Sequence, residues 1–313
     1  MELERIATNT YDFETIRKTG ITYVDKTGLM YPLVNTSMGN QFFLSRPRRF
    51  GKSLLLSTLQ KLFEGRRDLF QGLAIDSLPW DWSATYPVIR LDMSLCSGET
   101  VGEVEGRVVA TMRSEADRLG VALRNEDDAA ICLQSFIEDV AASGPCGQAV
   151  LLVDEYDKPL THWVGSEKVR PFQAFLKSFY AVIKKTESLQ RFCLMTGVSK
   201  FSKVSIFSDL NNLTDLTMNP AATTLLGYTH EEVRKNYPVR LASLADRLGV
   251  DVDGAFAQLV SMYDGYCFDE RMVRVFNPVS LGSALRDTQL KSYWFETGTP
   301  AWLMTYAKKT PMD

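Results

Sequence analysis

Residues 41–53 read QFFLSRPRRFGKS and join an apolar run to a helical pattern. The first four residues predict a strand, and Leu54–Phe63 predicts a helix because its apolar residues recur at helical spacing. Between them, Gly51, Lys52 and Ser53 fit the end of the pattern GxxxxGK(S/T). In such a loop, backbone N–H groups surround a phosphate, the lysine reaches the β- and γ-phosphates, and the hydroxyl binds Mg²⁺. The segment therefore predicts a phosphate-binding loop that opens a helix.

The loop departs from that pattern at its start. Arg46 stands where the first glycine is expected, and arginine resists the positive φ that glycine adopts there. The alternative is an ordinary helix N-terminus with Ser53 near the cap and solvated arginines. Planar guanidinium groups bind phosphate oxygens bidentately, which favours a binding role for Arg48 and Arg49. We also place Phe50 and Leu54, which flank the glycine and serine, among the predicted nucleotide-binding residues.

A second element lies 102 residues after Lys52, by the difference 154 minus 52. Gln148–Val153 predicts a buried strand, and two carboxylates, Asp154 and Glu155, follow it directly. This order is typical of a Walker B motif. Asp154 would bind the metal together with Ser53, and Glu155 would polarise a water for attack on the γ-phosphate. The alternative is a strand that ends in solvated acids before a turn.

A third candidate is the end of the strand predicted at Arg191–Thr196. Thr196 and Ser199 place hydroxyls where they approach a γ-phosphate from a neighbouring strand, as in a sensor-1 segment, and Lys200 adds an amine. The alternative is an exit from the strand assisted by Gly197, with a solvated lysine.

Short apolar runs alternate with helical patterns before about Pro220, as in α/β proteins with a parallel sheet. Besides the elements above, this region has a predicted strand at Pro87–Met93 and predicted helices at Val101–Leu119, Asp127–Ala142 and Val169–Lys185. Later residues predict helices at Glu231–Leu248, Val252–Met262 and Pro278–Arg286, and a hairpin formed by Tyr266–Phe268 and Val273–Phe276. We expect an α/β fold of the P-loop NTPase type over residues 1–220 and a smaller, mainly helical subdomain over residues 221–313.

Composition excludes several other classes. The 313 residues are 45% hydrophobic and 23% charged with a net charge of −3, which is typical of a globular protein without a global basic field. Five cysteines and two histidines are scattered, so zinc centres and histidine-based triads are not expected. A charged N-terminus and short apolar runs predict no secretory signal and no membrane span. We expect a cytoplasmic protein.

Five blocks in order resemble the bacterial AAA-ATPase-like family: ITYVDKTGLMYPLV, FLSRPRRFGKSLLLSTL, VLLVDEYDKPL, TGVSKFSKVSIFSDLNNLTDLT and WFETGTP. The RPRRFGKS loop, with arginine in place of the first glycine, resembles that family's own variant of Walker A. The resemblance implies ATP and Mg²⁺ as ligands, an AAA-like domain with a helical lid, and positions for Asn211 and Asn212 near the nucleotide. Family members typically carry a C-terminal PD-(D/E)XK nuclease-like domain, which we do not expect here because the chain stops after WFETGTP.

Three functional hypotheses follow. The first is a Mg-dependent ATPase that drives or regulates an unknown protein partner, and Glu155 favours it. The second is a switch or scaffold that binds ATP with negligible turnover. The third is a factor in a nucleic-acid-linked or defence system, although the acidic balance argues weakly against direct nucleic-acid binding. An arginine finger from Arg170, Arg191 or Arg274, in the same chain or in another subunit of an oligomer, stays open.

Overall fold

The computed structural model describes residues 3–7, 10–164, 166, 168–199 and 212–293. Its central strands are β1 (Gln41–Ser45), β2 (Val88–Asp92), β3 (Ala149–Asp154), β4 (Gln190–Gly197) and β5 (Thr214–Asp215). They form one sheet in the order β2-β3-β4-β1-β5, in which every neighbouring pair is parallel. The expected α/β fold with a parallel sheet is confirmed.

Helices flank this sheet and continue beyond it. Those before and between the strands are α1 (Phe13–Lys18), α2 (Thr27–Val34), α3 (Lys52–Phe63), α4 (Val101–Leu119), α5 (Ala129–Ser143), α6 (Lys158–Thr161) and α7 (Val169–Lys185). The later part contains α8 (His230–Asn236), α9 (Pro238–Leu248), α10 (Val252–Tyr263) and α11 (Pro278–Asp287), with an antiparallel hairpin of β6 (Asp264–Cys267) and β7 (Arg274–Phe276).

Both faces of the sheet are covered by apolar side chains. Successive side chains of a strand point to opposite faces, so Phe43 joins the cluster formed with α4, α5 and α7, whereas Phe42 and Leu44 join the cluster formed with α2 and α3. A third cluster is built from α8 to α11 and includes Val24 from the N-terminal segment. The proposed boundary at residue 220 stays a prediction.

The strand register determines where chemistry can be placed. Ser45 at the end of β1 lies beside Gly197 at the end of β4, and Val153 near the end of β3 lies beside Met195. The loops that follow these three strands therefore open at one edge of the sheet. In parallel α/β sheets this carboxyl edge is where ligands bind.

One predicted helix proves to be two. The pattern over 231–248 is interrupted at Tyr237, whose φ of −132° leaves the helical region, and α9 begins at Pro238. Proline has no N–H to donate to the preceding turn, and it disfavours the helical conformation in the residue before it. The prediction of one continuous helix was wrong for that reason.

Candidate functional site

The loop after β1 turns sharply into α3. Gly51 is the N-cap of α3 and has a φ of 93°, and Arg49 has a φ of 66°. Glycine reaches this region without a steric penalty, and these two left-handed residues bend the chain ahead of the helix. The free N–H groups at the start of α3 therefore face the carboxyl edge of the sheet, a geometry suited to an anion.

Lys52 is folded back over its own loop. Its Nζ donates to the carbonyl oxygens of Arg46 at 2.9 Å and Pro47 at 3.0 Å, and the residue is only 7% exposed. Burial lowers the pKa of Lys52, and the nearby negative charges of Asp154 and Asp157 oppose that effect. The side chain is thus a buried cation whose described partners are main-chain oxygens.

Asp154 at the end of β3 connects the loop to β4. Its Oδ2 accepts from the Ser53 hydroxyl at 2.5 Å, and its Oδ1 accepts from the Thr196 hydroxyl at 2.7 Å and from the Glu155 N–H at 3.0 Å. Both Asp154 and Thr196 are buried. Thr196 on β4 therefore orients the Asp154 carboxylate.

Glu155 occupies an unusual backbone conformation. Its φ is 50°, a region that non-glycine residues seldom adopt and that costs roughly 1 kcal/mol or more. The residue lines the main cavity, a space of about 600 Å³ over the carboxyl edge of the sheet. Burial and the neighbouring charge of Asp154 raise the pKa of Glu155, while Lys158 and Lys52 act in the opposite direction. Strained backbone and a desolvated carboxylate are both typical of functional positions.

Asp157 holds the segment that follows β4. Its carboxylate accepts from the N–H groups of Val198 at 3.2 Å and Ser199 at 2.9 Å, and the residue is buried. Burial raises the pKa of Asp157, and these backbone donors counteract it. A Cβ on Gly197 would lie 2.4 Å from the Tyr156 ring and 2.8 Å from the Asp157 carboxylate, so only glycine allows this close approach.

Arg46 has a structural place that its sequence position did not reveal. It is 1% exposed and donates to the carbonyl oxygens of Ser45, Thr217 and Ala222, and its guanidinium carbon lies 4.0 Å from the centre of the Phe268 ring. Burial lowers the pKa of Arg46 to about 10, and Asp215 opposes that effect. The arginine in place of the first glycine therefore fastens the loop to β5 and the later chain.

Two more contacts join the loop to the C-terminal part. The buried Phe50 ring packs edge-on against Tyr266 and Phe268, with ring centres 4.7 and 5.4 Å apart. Asn277 at the start of α11 donates to the Arg48 carbonyl at 3.2 Å. The Phe50 side chain thus packs beneath the hairpin, although the residue also borders the cavity.

A cavity of about 600 Å³ lies over this edge. Its lining includes all seven predicted residues of the loop and helix start, namely Arg48, Arg49, Phe50, Gly51, Lys52, Ser53 and Leu54, together with Glu155 and Lys158. Its remaining walls come from the N-terminal segment, α2, residues 225–228 and the start of α11. Ser199 borders a much smaller cavity beside Arg48, Glu155 and Lys158.

Several residues of this site were not expected from the sequence. Asp157 and Lys158 come shortly after the paired acids, and the third acid, two residues after Glu155, is the signal that was available for them. Lys26 also lies in the cavity wall, where its buried ammonium forms an ion pair at 2.6 Å with the partly exposed carboxylate of Glu232. Residues 225–228 carry no local motif, so only the fold reveals them.

Other predicted positions lie elsewhere. Asn212 donates to the Gln41 side chain at the start of β1, the end opposite the loop, so its expected position near the nucleotide was wrong. Arg191 donates to the Val34 carbonyl at that same far end. Lys200 and Asn211 lie outside the described residues.

Known proteins resemble this chain across the same elements. The family described as "Predicted AAA-ATPase" matches residues 7–207, which include the loop after β1, the acids after β3 and the end of β4. The chain belongs to this family. Membership in the AAA-ATPase family supports an ATPase-like function based on nucleotide binding.

One relative is similar over most of the chain. It is described as an uncharacterized protein in the vnfD 5′ region of Azotobacter chroococcum mcd 1 and is 38% identical over 283 residues. The match covers 90% of this chain and 52% of the relative, so the chain spans about half the relative's length.

Among the described residues of this AAA-ATPase family member, no helix has the length and apolar character to cross a membrane.

Proposed function

We propose that the protein binds ATP with Mg²⁺ in the main cavity and hydrolyses it to ADP and phosphate. The observation that supports this best is the 2.5 Å hydrogen bond between Ser53 and Asp154, which joins the loop after β1 to the end of β3. A second carboxylate, Glu155, borders the cavity next to this pair. Separate side chains of one site would thereby bind the phosphates, bind the metal and activate water.

The oxygen donors present suit magnesium. Mg²⁺ prefers hard oxygen ligands and is usually held by one or two carboxylates, substrate phosphates and several waters. Ser53 and Asp154 provide one hydroxyl and one carboxylate, and among the described residues no larger group of acidic, histidine or cysteine side chains could hold a metal. When bound, Mg²⁺ would neutralise charge on the phosphates.

Lys52 and the start of α3 would hold the phosphates. The Lys52 ammonium rests on two loop carbonyls, so a phosphate oxygen would replace neutral acceptors by a charged one. The N–H groups after Gly51 add donors that need no side chain. Arg48 and Arg49 are exposed, line the same cavity and add positive charge to it.

Glu155 would orient and polarise the attacking water. Glu155 lines the cavity. Asp154 already accepts three hydrogen bonds, so it is not available for this role. Burial and the charge of Asp154 raise the pKa of Glu155, which makes its carboxylate a better proton acceptor than an ordinary one.

An apolar part of the cavity wall suits a nucleobase. Tyr23, Val24, Met30, Leu226 and Tyr228 provide apolar and aromatic surface in the same cavity as the phosphate-binding residues. Small-molecule sites combine such surface with a few placed polar groups. We therefore place the base of ATP against this wall.

The contacts of Arg46, Phe50 and Arg48 with the C-terminal part suggest how nucleotide state reaches a partner. These contacts join the loop to the hairpin and α11, within the proposed lid of residues 221–313. The protein would meet ATP in the cytoplasm and drive or regulate a protein partner. Whether the protein forms an oligomer or contacts nucleic acid directly would be tested together with that partner.

Phosphate release from MgATP by the purified chain tests the function. We expect turnover that requires Mg²⁺ and that is lost in Lys52→Ala and Glu155→Gln, with ATP still bound by Glu155→Gln. Lys185→Ala and Glu138→Gln, which are exposed on α7 and α5, remove the same charges elsewhere and should leave turnover intact. Binding without turnover by the unaltered chain would instead support the nucleotide-held switch.

A further inference from the structure

Five cationic residues line the main cavity: Lys26, Arg48, Arg49, Lys52 and Lys158. Lys26 is paired with Glu232, and Lys52 donates to loop carbonyls. The arginines are exposed, whereas Lys158 is half-buried. Within the described part of the chain its ammonium makes no hydrogen bond or ion pair. Its ammonium borders the cavity without a hydrogen-bonding partner among those residues and is therefore available to an anionic ligand.

Lys158 is placed beside the group that would activate water. It is the first residue of α6, and its N–H donates to the Glu155 carbonyl at 2.9 Å, which closes a tight turn between the two. Both residues border the main cavity and also the small cavity beside Ser199 and Arg48. The lysine charge also counteracts the burial that raises the pKa of Glu155.

None of the three arginines considered as an arginine finger lines this cavity. Arg191 is bound to the Val34 carbonyl at the far edge of the sheet, and Arg170 and Arg274 are not among the residues that line the cavity. Phosphoryl transfer places negative charge on the γ-phosphate oxygens, and a cation supplied within the chain or by a neighbour stabilises that charge. Lys158 offers such a cation within the chain.

On the basis of the proposed ATPase function, we propose that Lys158 is a catalytic residue that contacts the γ-phosphate and stabilises its charge during hydrolysis within one chain. The bond between the γ-phosphorus and the bridging oxygen breaks as water adds, with Glu155 accepting a proton from that water. Lys158 remains protonated throughout and contributes charge alone. The site then needs no arginine from another subunit.

Substitution of Lys158 tests this assignment. We expect Lys158→Ala to lower single-turnover hydrolysis by about 100-fold or more, as does the loss of one preorganised transition-state donor. ADP affinity, measured by calorimetry, should change by less than about threefold, because ADP has no γ-phosphate. Affinity for ADP with Mg²⁺ and aluminium fluoride, which mimics the transferring phosphoryl group, should fall in parallel with hydrolysis.

Two controls separate this role from a structural one. Lys158→Arg keeps the charge and should recover most of the analogue affinity and hydrolysis, whereas Lys185→Ala should match the unaltered chain. ADP binding and the thermal midpoint report whether each variant is folded. Hydrolysis and analogue affinity that survive in Lys158→Ala would overturn the assignment and leave the ATPase function standing.

A mixing experiment tests whether the lysine acts within its own chain. Lys158→Ala and Glu155→Gln are combined in equal amounts, and phosphate release is measured over a range of protein concentrations. Since both groups must act on one nucleotide from the same chain, we expect no recovery. Recovery on mixing would show that the lysine serves a neighbour's site. No turnover by the unaltered chain would overturn the ATPase function and this assignment together.

Discussion

Arg46 stands where the sequence pattern of phosphate-binding loops has its first glycine, and it stabilises the loop after β1 by packing. The buried guanidinium donates to three carbonyl oxygens and stacks on Phe268. The sequence pattern showed only that the glycine is absent. One carbonyl that Arg46 binds belongs to Ala222, 176 positions away in the chain, and no local pattern reveals that contact. The side chain therefore compensates for the altered loop start with contacts that no local pattern encodes.

Arg46→Ala should lower the free energy of unfolding by about 3 kcal/mol, since buried carbonyls lose charged donors. Urea denaturation with matched folded baselines measures this change. Arg247→Ala, which removes an exposed arginine of α9, should stay within about 0.5 kcal/mol of the unaltered chain. Equal effects of the two substitutions would contradict a structural role for Arg46.

Gly197 is required by close packing rather than by its φ. Gly197→Ala should destabilise the protein by about 1–3 kcal/mol, because the added Cβ would enter the Tyr156 ring and the Asp157 carboxylate. The matched control is Gly106→Ala in α4, where a Cβ meets nothing within 4 Å. That control should stabilise the helix by about 0.5–1 kcal/mol, and destabilisation in both variants would count against the packing argument.

Glu155 should make stability depend on pH in a defined direction. Its pKa is raised in the folded protein, so the ionised carboxylate opposes folding at neutral pH, and this penalty is absent below the unfolded pKa of about 4.3. Glu155→Gln should therefore raise the urea midpoint at pH 8, and the difference should disappear as the pH falls to about 4. Glu138→Gln on α5 is the surface control. A lower midpoint for Glu155→Gln at pH 8 would contradict the account.

Helices and strands with a strong local signal were predictable. The bounds of α4 and α7 agree with the sequence pattern, and α4 also carries a Thr100 cap at its start and a left-handed Gly120 at its end. The ends of β1 and β3 placed the loop and the paired acids at one edge of the sheet. Local pattern was therefore sufficient for the central elements of the candidate site.

The remaining walls of the site depend on contacts between distant segments. α1 and α2 were not predicted, and α2 even contains Pro32 within its helical residues. The hairpin was predicted, but its packing against Phe50 was not, because a hairpin pattern states nothing about what its aromatic face covers. Chain topology, rather than propensity, determines these contacts.

At the level of the whole molecule, the N-terminal segment and the C-terminal helices are connected across the cavity. Lys26 at the start of α2 donates to Glu232 of α8 and to the Thr224 carbonyl, and Val24 belongs to the cluster formed by α8 to α11. Burial lowers the pKa of Lys26, and Glu232 opposes that effect. The wall that would hold the base is thus closed by an ion pair between the two ends of the described chain.

A double-mutant cycle on this pair measures its contribution. Glu232→Gln should cost about 3 kcal/mol because it leaves the buried Lys26 ammonium without its carboxylate. Lys26→Met should cost less because Glu232 is partly exposed, and the double variant should cost less than the sum of the two. The surface pair Arg234–Asp253, 2.9 Å apart on α8 and α10, should show coupling below about 1 kcal/mol. Additive effects of Lys26→Met and Glu232→Gln would contradict a stabilising ion pair.

Equilibrium binding of MgATP, measured by calorimetry, tests most directly whether this cavity is a nucleotide site. The unaltered chain should bind one MgATP per chain, and Lys52→Ala should lose that binding because its ammonium no longer meets the phosphates. The thermal midpoint of Lys52→Ala checks that the variant is folded. Binding that is absent from the unaltered chain, or equally tight in folded Lys52→Ala, would contradict the nucleotide site proposed at the loop.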